Sequence, residues 1–285
     1  MKIPKRIKPL VEEGLIDEVI SRLMSGKEAD VFVVRCNSEI RCAKVYKDSV
    51  NRSFKQAVLY QEGRKTRNSR RGRAMEKGSK FGREQQEQTW HNAEVDALTK
   101  LAKAGVRVPV PYACIDGVLL MELVTDAEGD VAPRLSEVDL TPEQAVEDHG
   151  KVMRFVVQML CAGLVHGDLS EFNILVDENG PVIIDLPQAV DAAANNNAES
   201  MLLRDVNKIT QFYGHFAPAL LDTKYGKEIW KLYEEGDLQP DSKLTGLFAE
   251  STTAADVDGV LEEIESVIDE EQQRLERKAE AESQP

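Results

Sequence analysis

The most informative stretch of the sequence is HGDLSEFN at residues 166–173, which is followed by two short apolar segments with the turn sequence DENG between them. Residues 174–176 and 182–184 carry β-branched side chains, and DENG favours a tight reversal of the chain. We therefore predict a β-hairpin. Because a hairpin brings its two ends together, Asn173 just before it and Asp185 just after it are expected to lie close to each other.

The oxygens of Asn173 and Asp185 suit Mg²⁺, which takes hard oxygen ligands and keeps room for water and phosphate. Asp168 precedes the hairpin on the same side of the turn, where its carboxylate could align an acceptor or accept its proton. Single Asp and Asn residues in loops usually cap turns instead. The spacing HxDxxxxN, followed by a hairpin that ends in Asp, favours chemistry on a phosphate over capping. His166 is interpreted as a hydrogen-bonded scaffold residue.

Lys44 and Glu94 are a candidate charged pair. Lys44 lies in CAKVY, a predicted half-buried strand, where a cation needs an anion or an exit to solvent. Glu94 interrupts an otherwise apolar helix face, and a carboxylate there is costly unless it is paired. Their pairing would direct the ammonium at nucleotide phosphates. The alternative is that Glu94 lies at the edge of the apolar face and reaches water.

The segment Ser25–Asp30 precedes the first predicted hairpin strand, where a loop could cover phosphates. Ser25 and Lys27 are its candidate donors. The segment lacks the full GxxxxGK[ST] pattern, and its single glycine excludes GxGxxG. Its position therefore supports a phosphate-binding role more strongly than its motif does.

The formal net charge of −14 hides an uneven distribution. Residues 1–110 carry 24 Lys and Arg against 14 Asp and Glu, whereas residues 111–249 carry 9 against 24 and residues 250–285 carry 3 against 12. An acidic average would disfavour phosphate-bearing ligands, but the positive charge is concentrated in the half that contains Lys44. Nine basic residues fall within residues 63–83, a predicted mobile loop that either contacts RNA or an acidic partner or remains solvated without one.

Composition excludes several classes of protein. No run of 18 or more apolar residues occurs, so no membrane-spanning helix is predicted, and the charged start MKIPKR does not indicate a secretory signal. The four cysteines form no CxxC pair, which disfavours a zinc site or a disulfide framework and indicates reduced thiols in the cytoplasm. A 42% hydrophobic and 30% charged composition over 285 residues is typical of a folded globular protein.

The order of the predicted elements, strands first and helices afterwards, indicates an α+β fold of two lobes. We expect a β-rich N-lobe, a helical C-lobe and a cleft between them. The predicted helices are Leu10–Met24, Glu84–Ala104, one that runs from the capping box at Thr141 to about Gly163, and those from Met201 onward. Outside the 174–184 hairpin, the predicted strands are Val31–Arg35, Ile40–Tyr46 and Val118–Leu123.

Several strings of the sequence resemble the RIO family of atypical protein kinases, and the resemblance covers residues 1–248. It looks closest to the family's first branch, because the second carries an N-terminal winged-helix domain and only about 24 residues precede Ser25 here. The departure is Leu186-Pro187, which is nearer the second branch's pattern. The matching strings are SGKEADVF (25–32), AKVY (43–46), GVRVPVP (105–111), APRL (132–135), HGDLSEFNIL (166–175) and IIDLPQAV (183–190).

The resemblance implies a role for each matching site residue. Asp168 would be the catalytic acid–base residue, and Asn173 and Asp185 would be the Mg²⁺ ligands. Lys44 would bind the phosphates of ATP, with Glu94 as its helix partner.

Further implied roles concern the nucleotide. Ser25, Lys27 and Val31 would cover it, and Met121 to Leu123 would form the hinge that holds adenine. Mn²⁺ can substitute for Mg²⁺ in such a site. The residue that matches Asp185 becomes transiently phosphorylated in RIO proteins, and the family lacks the activation segment and APE element of ordinary protein kinases.

The resemblance implies a Mg-ATP-dependent serine/threonine protein kinase with ATPase activity, with ribosomal precursor particles among the family's substrates. The implied domains are a RIO-type kinase domain at 1–248, with an N-lobe at 1–120 and a hinge and C-lobe at 121–248, and an acidic amphipathic tail at 249–285. The alternatives are an RNA- or ribosome-binding assembly factor whose nucleotide site only times release, and a small-molecule phosphotransferase. A nucleotide-binding pseudo-enzyme is disfavoured because every expected catalytic residue is present.

Overall fold

The computed structural model describes residues 3–26, 28–47 and 93–248. The chain divides into two units, Met1–Leu247 and Phe248–Pro285, and the fold described below belongs to the first. The predictions for the basic stretch 63–83, for the helix before residue 93 and for the acidic tail after residue 248 lie outside the described residues.

The strands of the N-terminal half are rich in β-branched residues, which favour extended backbone. Strands β2 (Ala29–Cys36) and β3 (Glu39–Tyr46) pair antiparallel through a turn in which Asn37 and Ser38 have φ values of 49° and 70°. Two left-handed turn residues match the twist of a hairpin. The two predicted strands and their connection are therefore confirmed.

The predicted helix over Leu10–Met24 is wrong for most of its length. A short helix, α1 (Lys8–Glu12), ends before Gly14, which adopts φ 73°, and strand β1 (Glu18–Ser25) follows. The helical spacing does not decide the structure here, because β1 pairs antiparallel with β2 along its length, with two register shifts, and gains backbone hydrogen bonds from this pairing. The apolar residue Leu10 is buried in any case, since α1 packs on one face of the sheet.

The sheet is completed by strands that follow a helix at residues 93–103, here α2. Gly105, at φ 85°, follows this helix, as predicted from the sequence. Strands β4 (Pro111–Ile115) and β5 (Val118–Glu122) then add to the sheet, whose order is β1-β2-β3-β5-β4. This order places β3 at the centre of the sheet and the end of β5 at the start of the connection to the helical lobe.

The C-terminal lobe is built on amphipathic helices. Helix α3 (Pro142–Cys161) begins with the predicted capping box, in which the Thr141 side chain accepts from the Gln144 amide and Gln144 reaches back to Thr141. The other described elements of this lobe are the helices α4 (Ala198–Gly214) and α5 (Tyr225–Glu235), the hairpin β7 (Ile174–Asp177) and β8 (Gly180–Ile183), the pair β6 (Leu164–Val165) and β9 (Val190–Asp191), and the 3₁₀ turns Leu135–Glu137, Glu171–Asn173 and Pro218–Asp222.

The predicted hairpin and the predicted division into a β-rich lobe and a helical lobe are confirmed. The largest hydrophobic core joins α2 and the inner residues of the sheet to the helical lobe, and a second core lies between α1 and the sheet. Between Ile183 and Ala198 the described chain forms only turns and the short strand β9. No helix in the described part of the chain is long and apolar enough to cross a bilayer.

Candidate active site

Lys44 on β3 is buried between two carboxylates. Its Nζ lies 2.7 Å from Glu94 Oε1 on α2 and 2.6 Å from Asp185 Oδ1 after β8. Tyr46, two residues along the same strand, donates its hydroxyl to the other Glu94 oxygen. A buried cation and a buried carboxylate are tolerable only when both are paired in this way. The predicted Lys44–Glu94 contact is confirmed, and Glu94 does not reach water at the edge of its helix, since it is 1% exposed.

Lys44 and Asp185 in this cluster keep each other ionised by shifting each other's pKa values. Burial alone would lower the pKa of the Lys44 ammonium, but Glu94 and Asp185 outweigh it and hold that pKa above its ordinary value. Burial would likewise raise the pKa of the Asp185 carboxyl, and the Lys44 ammonium reverses this, so that pKa lies below its usual range. All three groups therefore form a charged network that links the sheet, α2 and the β8 end.

Asp185 has a backbone conformation that few side-chain-bearing residues adopt. Its φ is 67°, in the left-handed region, where a residue other than glycine costs roughly 1 kcal/mol and Asp is among those that tolerate it. The two residues after it, Leu186 and Pro187, are buried and fix the chain at this point. The residue with the strained backbone is thus the one whose carboxylate contacts Lys44. Backbone strain of this kind is common at functional sites.

The loop that carries Asp168 is fixed to the end of the hairpin. Asn173 Nδ2 donates to the Asp168 carbonyl at 2.9 Å, and the Ile184 amide donates to the Asn173 carbonyl at 3.0 Å. His166 bridges the same two segments, because its Nε2 bonds the Ile184 carbonyl at 3.1 Å and its Nδ1 accepts from the Asp168 amide at 3.3 Å. The scaffold role predicted for His166 agrees with these contacts, in which Nε2 carries the proton.

The side-chain oxygens that could bind a metal are those that are not used in the contacts described above. Asn173 uses its Nδ2 on the Asp168 carbonyl, so its amide Oδ1 is a candidate ligand, and Lys44 contacts Oδ1 of Asp185, so Oδ2 is a second. One amide and one carboxylate oxygen fit Mg²⁺ that completes its shell with phosphate and water. The hairpin brings these two residues to neighbouring backbone positions, as predicted.

Helix α4 supports the Asp168 loop with residues that the sequence analysis missed. Asp205 Oδ2 accepts from the Gly167 amide at 2.8 Å, and Arg204 donates to the Gly167 carbonyl. Burial raises the pKa of the Asp205 carboxyl. The sequence could have indicated Asp205, because this residue interrupts the apolar face of its helix in the same way as Glu94. Lys208, one turn later, bonds Asp168 Oδ1 at 3.2 Å and had no comparable signal.

The loop between β1 and β2 is fixed by a lysine at the end of β3. Lys47 Nζ donates to the Gly26 carbonyl at 2.6 Å and to Ser25 Oγ at 3.3 Å, and it lies 3.2 Å from Asp30 Oδ1. Val31, the third residue of β2, lies opposite Lys44 in the register. Val31 thus shares a face of the sheet with Lys44, whereas Ser25 pairs with Asp30, whose partner on β3 is Val45 on the opposite face. Lys27 lies outside the described residues.

The predicted hinge begins at the end of β5. Met121 is the register partner of Cys42 on β3, and the Glu122 amide donates to the Val110 carbonyl at 2.8 Å. Leu123 and Val124 then leave the sheet towards the helical lobe. Beyond the hinge, the Arg134 guanidinium contacts Met24 Sδ at the end of β1. The predicted hinge residues therefore lie where the last strand of the sheet ends and the chain passes to the helical lobe.

The arrangement combines a paired lysine, a carboxylate at a strained position and a second carboxylate on a fixed loop. Lys44, Glu94 and Asp185 form one cluster, Asp168 and Asn173 form another, and the His166–Ile184 contact joins them. Such a set can bind a metal–phosphate complex and align an acceptor hydroxyl.

Comparison with known proteins gives matches over most of the chain. The model of the RIO domain matches residues 30–225. The RIO-type serine/threonine-protein kinase Rio1 of Haloferax volcanii is 37% identical over 206 residues, which are 72% of this chain and 66% of that protein. The human serine/threonine-protein kinase RIO1 is 30% identical over 218 residues, 75% of this chain and 36% of that protein. The chain thus spans 66% or less of the length of these curated relatives.

Solved structures of the Rio2 kinase from Chaetomium thermophilum share the fold. One, a complex with ADP, Mg²⁺ and phosphoaspartate, has a TM-score of 0.56 and 22% identity, and the match covers 94% of this chain and 75% of that one. Another has a TM-score of 0.56 and 21% identity over 96% of this chain and 82% of that one. The predicted kinase-like two-lobed fold is confirmed.

Proposed function

Since this chain belongs to the RIO family of atypical protein kinases, we propose that it transfers the γ-phosphoryl group of Mg-ATP to serine or threonine of a protein, and that it also hydrolyses ATP. The observation that carries the proposal is the position of Lys44 between Glu94 and Asp185, because a buried lysine so placed is suited to nucleotide phosphates.

Each protein group has one task in this proposal. Lys44, held by Glu94, binds ATP phosphate oxygens, and Asn173 and Asp185 hold Mg²⁺, which neutralises phosphate charge when it is bound. Asp168 orients the acceptor hydroxyl and accepts its proton. The contacts that fix the Asp168 loop hold the backbone of this residue in place during transfer.

The nucleotide-binding residues are also a proposal. Ser25, Lys27 and Val31 cover the phosphates and the base from the sheet lobe, and Met121 and Leu123 hold adenine at the hinge. The fixing of Ser25 and Gly26 by Lys47 supports a defined loop at this place. The oxygen donors of the metal site also suit Mn²⁺, which we include as a substitute.

A phosphorylated enzyme is part of the proposal. The γ-phosphorus would form a bond to an Asp185 carboxylate oxygen as its bond to the ADP oxygen breaks, and water would later hydrolyse the acyl phosphate to inorganic phosphate. Support comes from the related Rio2 kinase structure described as a phosphoaspartate complex. In this chain the Lys44 ammonium beside Asp185 would lower the charge repulsion between that carboxylate and the phosphoryl group.

The domain limits and location remain proposals as well. We assign residues 1–248 to the kinase domain and 249–285 to an acidic tail, supported by the division of the chain after Leu247. The cysteine usage supports a cytoplasmic location.

A second candidate function is that of an RNA- or ribosome-binding assembly factor whose nucleotide site times its release, with a role in maturation of the small ribosomal subunit. It is favoured by nine basic residues within 63–83. Replacing Arg67, Arg70, Arg71 and Arg73 with Gln should weaken ribosome co-sedimentation and reduce its salt dependence. Unchanged co-sedimentation would contradict a contact through this stretch.

One assay distinguishes protein phosphorylation, the Asp185 adduct and ATP hydrolysis by their labelled products. Purified protein is incubated with γ-labelled ATP and Mg²⁺, and the label is followed as acid-stable phosphoserine or phosphothreonine, as a hydroxylamine-labile adduct and as free phosphate. We expect acid-stable label and free phosphate, with a labile adduct that is absent from Asp185→Asn. Label that appears only on an added small alcohol would instead indicate a small-molecule phosphotransferase.

A further inference from the structure

The carboxylate of Asp168 has a protein partner that lies outside its own loop. Lys208 Nζ on helix α4 is 3.2 Å from Asp168 Oδ1. The two side chains are 39% and 41% exposed, so the pair is accessible from solvent.

The contacts within the Asp168 loop fix its backbone and leave its side chain free to rotate. His166 accepts from the Asp168 amide, and Asn173 donates to the Asp168 carbonyl. Neither bond restrains the rotation of the carboxylate about χ1. Among the residues that the structure describes, Lys208 supplies the side-chain contact to this carboxylate, and residues 167–173 contain no Lys or Arg that could do so.

Helix α4 is a well-fixed platform for such a contact. One turn before Lys208, Asp205 accepts from the Gly167 amide and Arg204 donates to the Gly167 carbonyl. Gly167 directly precedes Asp168, so the helix is tied to the loop at the residue before the carboxylate. The Lys208 ammonium therefore meets Asp168 from a helix whose position relative to the loop is set by two other side chains, those of Asp205 and Arg204.

We propose that Lys208 is a positioning residue for phosphoryl transfer. By bonding Oδ1 of Asp168, it holds the carboxylate in one rotamer and leaves Oδ2 to face the acceptor hydroxyl or water. The inference rests on the proposed function, and it predicts that Lys208 acts on the transfer rate and not on nucleotide binding. An exposed ion pair of purely structural value contributes about 0–1 kcal/mol to stability and would not affect the rate.

The test uses three variants of the full chain. Lys208→Gln removes the charge, Lys208→Arg keeps it with a group that also bonds carboxylates, and Lys231→Gln removes a helix lysine that lies 3.9 Å from Glu235 at a comparable exposure. Each is assayed at saturating Mg-ATP for the single-turnover rate at which γ-labelled ATP gives acid-stable phosphoserine or phosphothreonine and free phosphate, for the Kd of Mg-ADP and for thermal unfolding.

We expect Lys208→Gln to lower the saturating rate about tenfold or more with the Mg-ADP Kd within about twofold of wild type. Lys208→Arg should recover most of the rate, and Lys231→Gln should match wild type. A wild-type rate in Lys208→Gln would overturn the inference, as would a loss that Arg does not restore. Absence of any ATP consumption by wild type would instead overturn the proposed function, and the inference with it.

Discussion

The Arg107 guanidinium donates two hydrogen bonds to the Glu122 carboxylate, at 2.7 and 3.0 Å, and its Nε bonds Asp177 at 3.1 Å. Arg107 follows α2, Glu122 ends β5 and Asp177 ends β7. A single side chain therefore joins the sheet lobe, the start of the hinge and the hairpin that carries the metal-binding residues. The Asp177 side chain is 6% exposed, so it depends on this partner.

Arg107→Gln should lower the free energy of unfolding by about 2–3 kcal/mol, because it leaves the largely buried Asp177 carboxylate without its charged partner. Urea unfolding at neutral pH measures the effect. Arg35→Gln is the matched control, since Arg35 contacts Glu18 in an exposed pair and its loss should cost well under about 1 kcal/mol. Equal effects of the two variants would contradict the importance of the Arg107 network.

Lys44→Met should destabilise the protein by about 3–5 kcal/mol, because Glu94 and Asp185 lose the cation that balances them. The double variant Lys44→Met with Glu94→Gln should be less destabilised than the sum of the two single variants, since the second change removes an unpaired buried charge. Denaturant unfolding of all four proteins gives the coupling energy. Strict additivity would show that Lys44 and Glu94 do not depend on each other.

The stability of the helical lobe should fall as the pH is lowered from about 6.5 to about 4. Burial lowers the pKa of His149, which bonds Thr210 Oγ1, from 6.5 to about 4. In that range the unfolded chain binds a proton that the folded chain does not, so protonation favours unfolding, by about 3 kcal/mol at most.

His149→Gln should flatten this part of the stability–pH curve, whatever its effect on stability at neutral pH. His215→Gln, at an exposed position, is the control and should leave the curve of the wild type unchanged. A His149→Gln curve parallel to that of the wild type between pH 4 and 6.5 would show that His149 does not cause the loss.

Lys47→Met should weaken binding of Mg-ADP by about 3–10-fold, because the loop at Ser25 and Gly26 loses the ammonium that holds it. Isothermal titration measures the Kd. Lys8→Met removes a lysine of the same lobe whose ammonium pairs with the exposed Glu12, and this variant should bind as wild type does. An unchanged Kd in Lys47→Met would mean that this loop does not take part in nucleotide binding.

Elements whose local pattern and tertiary environment agree could be predicted from sequence. Three examples are the hairpin after Asn173, the capped helix at Thr141 and the Lys44–Glu94 pair. Turn residues predict the first, capping residues the second, and a charge on an apolar helix face that needs a partner the third. The segment Leu10–Met24 failed because its spacing fits a helix, whereas the exposed edge of β2 offers strand pairing that no local pattern reveals.

The site was predicted less completely than the fold. Asp205 carried the same signal as Glu94, a charge on an apolar helix face, and could have been found. Lys208 lies on the polar side of α4, and only the approach of that helix to the Asp168 loop makes it significant. A residue such as Lys208 looks ordinary in its own helix, and its contact with a residue far away in the sequence can be recognised only in the structure.

The most direct test of the proposed phosphoryl transfer is the single-turnover rate at which Asp168→Asn, compared with wild type, converts γ-labelled ATP into acid-stable phosphoserine or phosphothreonine and free phosphate. Nucleotide binding is measured in parallel. We predict an unchanged Kd for Mg-ADP, because Asp168 lies outside the Lys44 cluster, and a rate lowered by about 10²-fold or more, because the acceptor loses its base. An Asp168→Asn variant that forms these two products as fast as wild type would contradict the central role assigned to this residue.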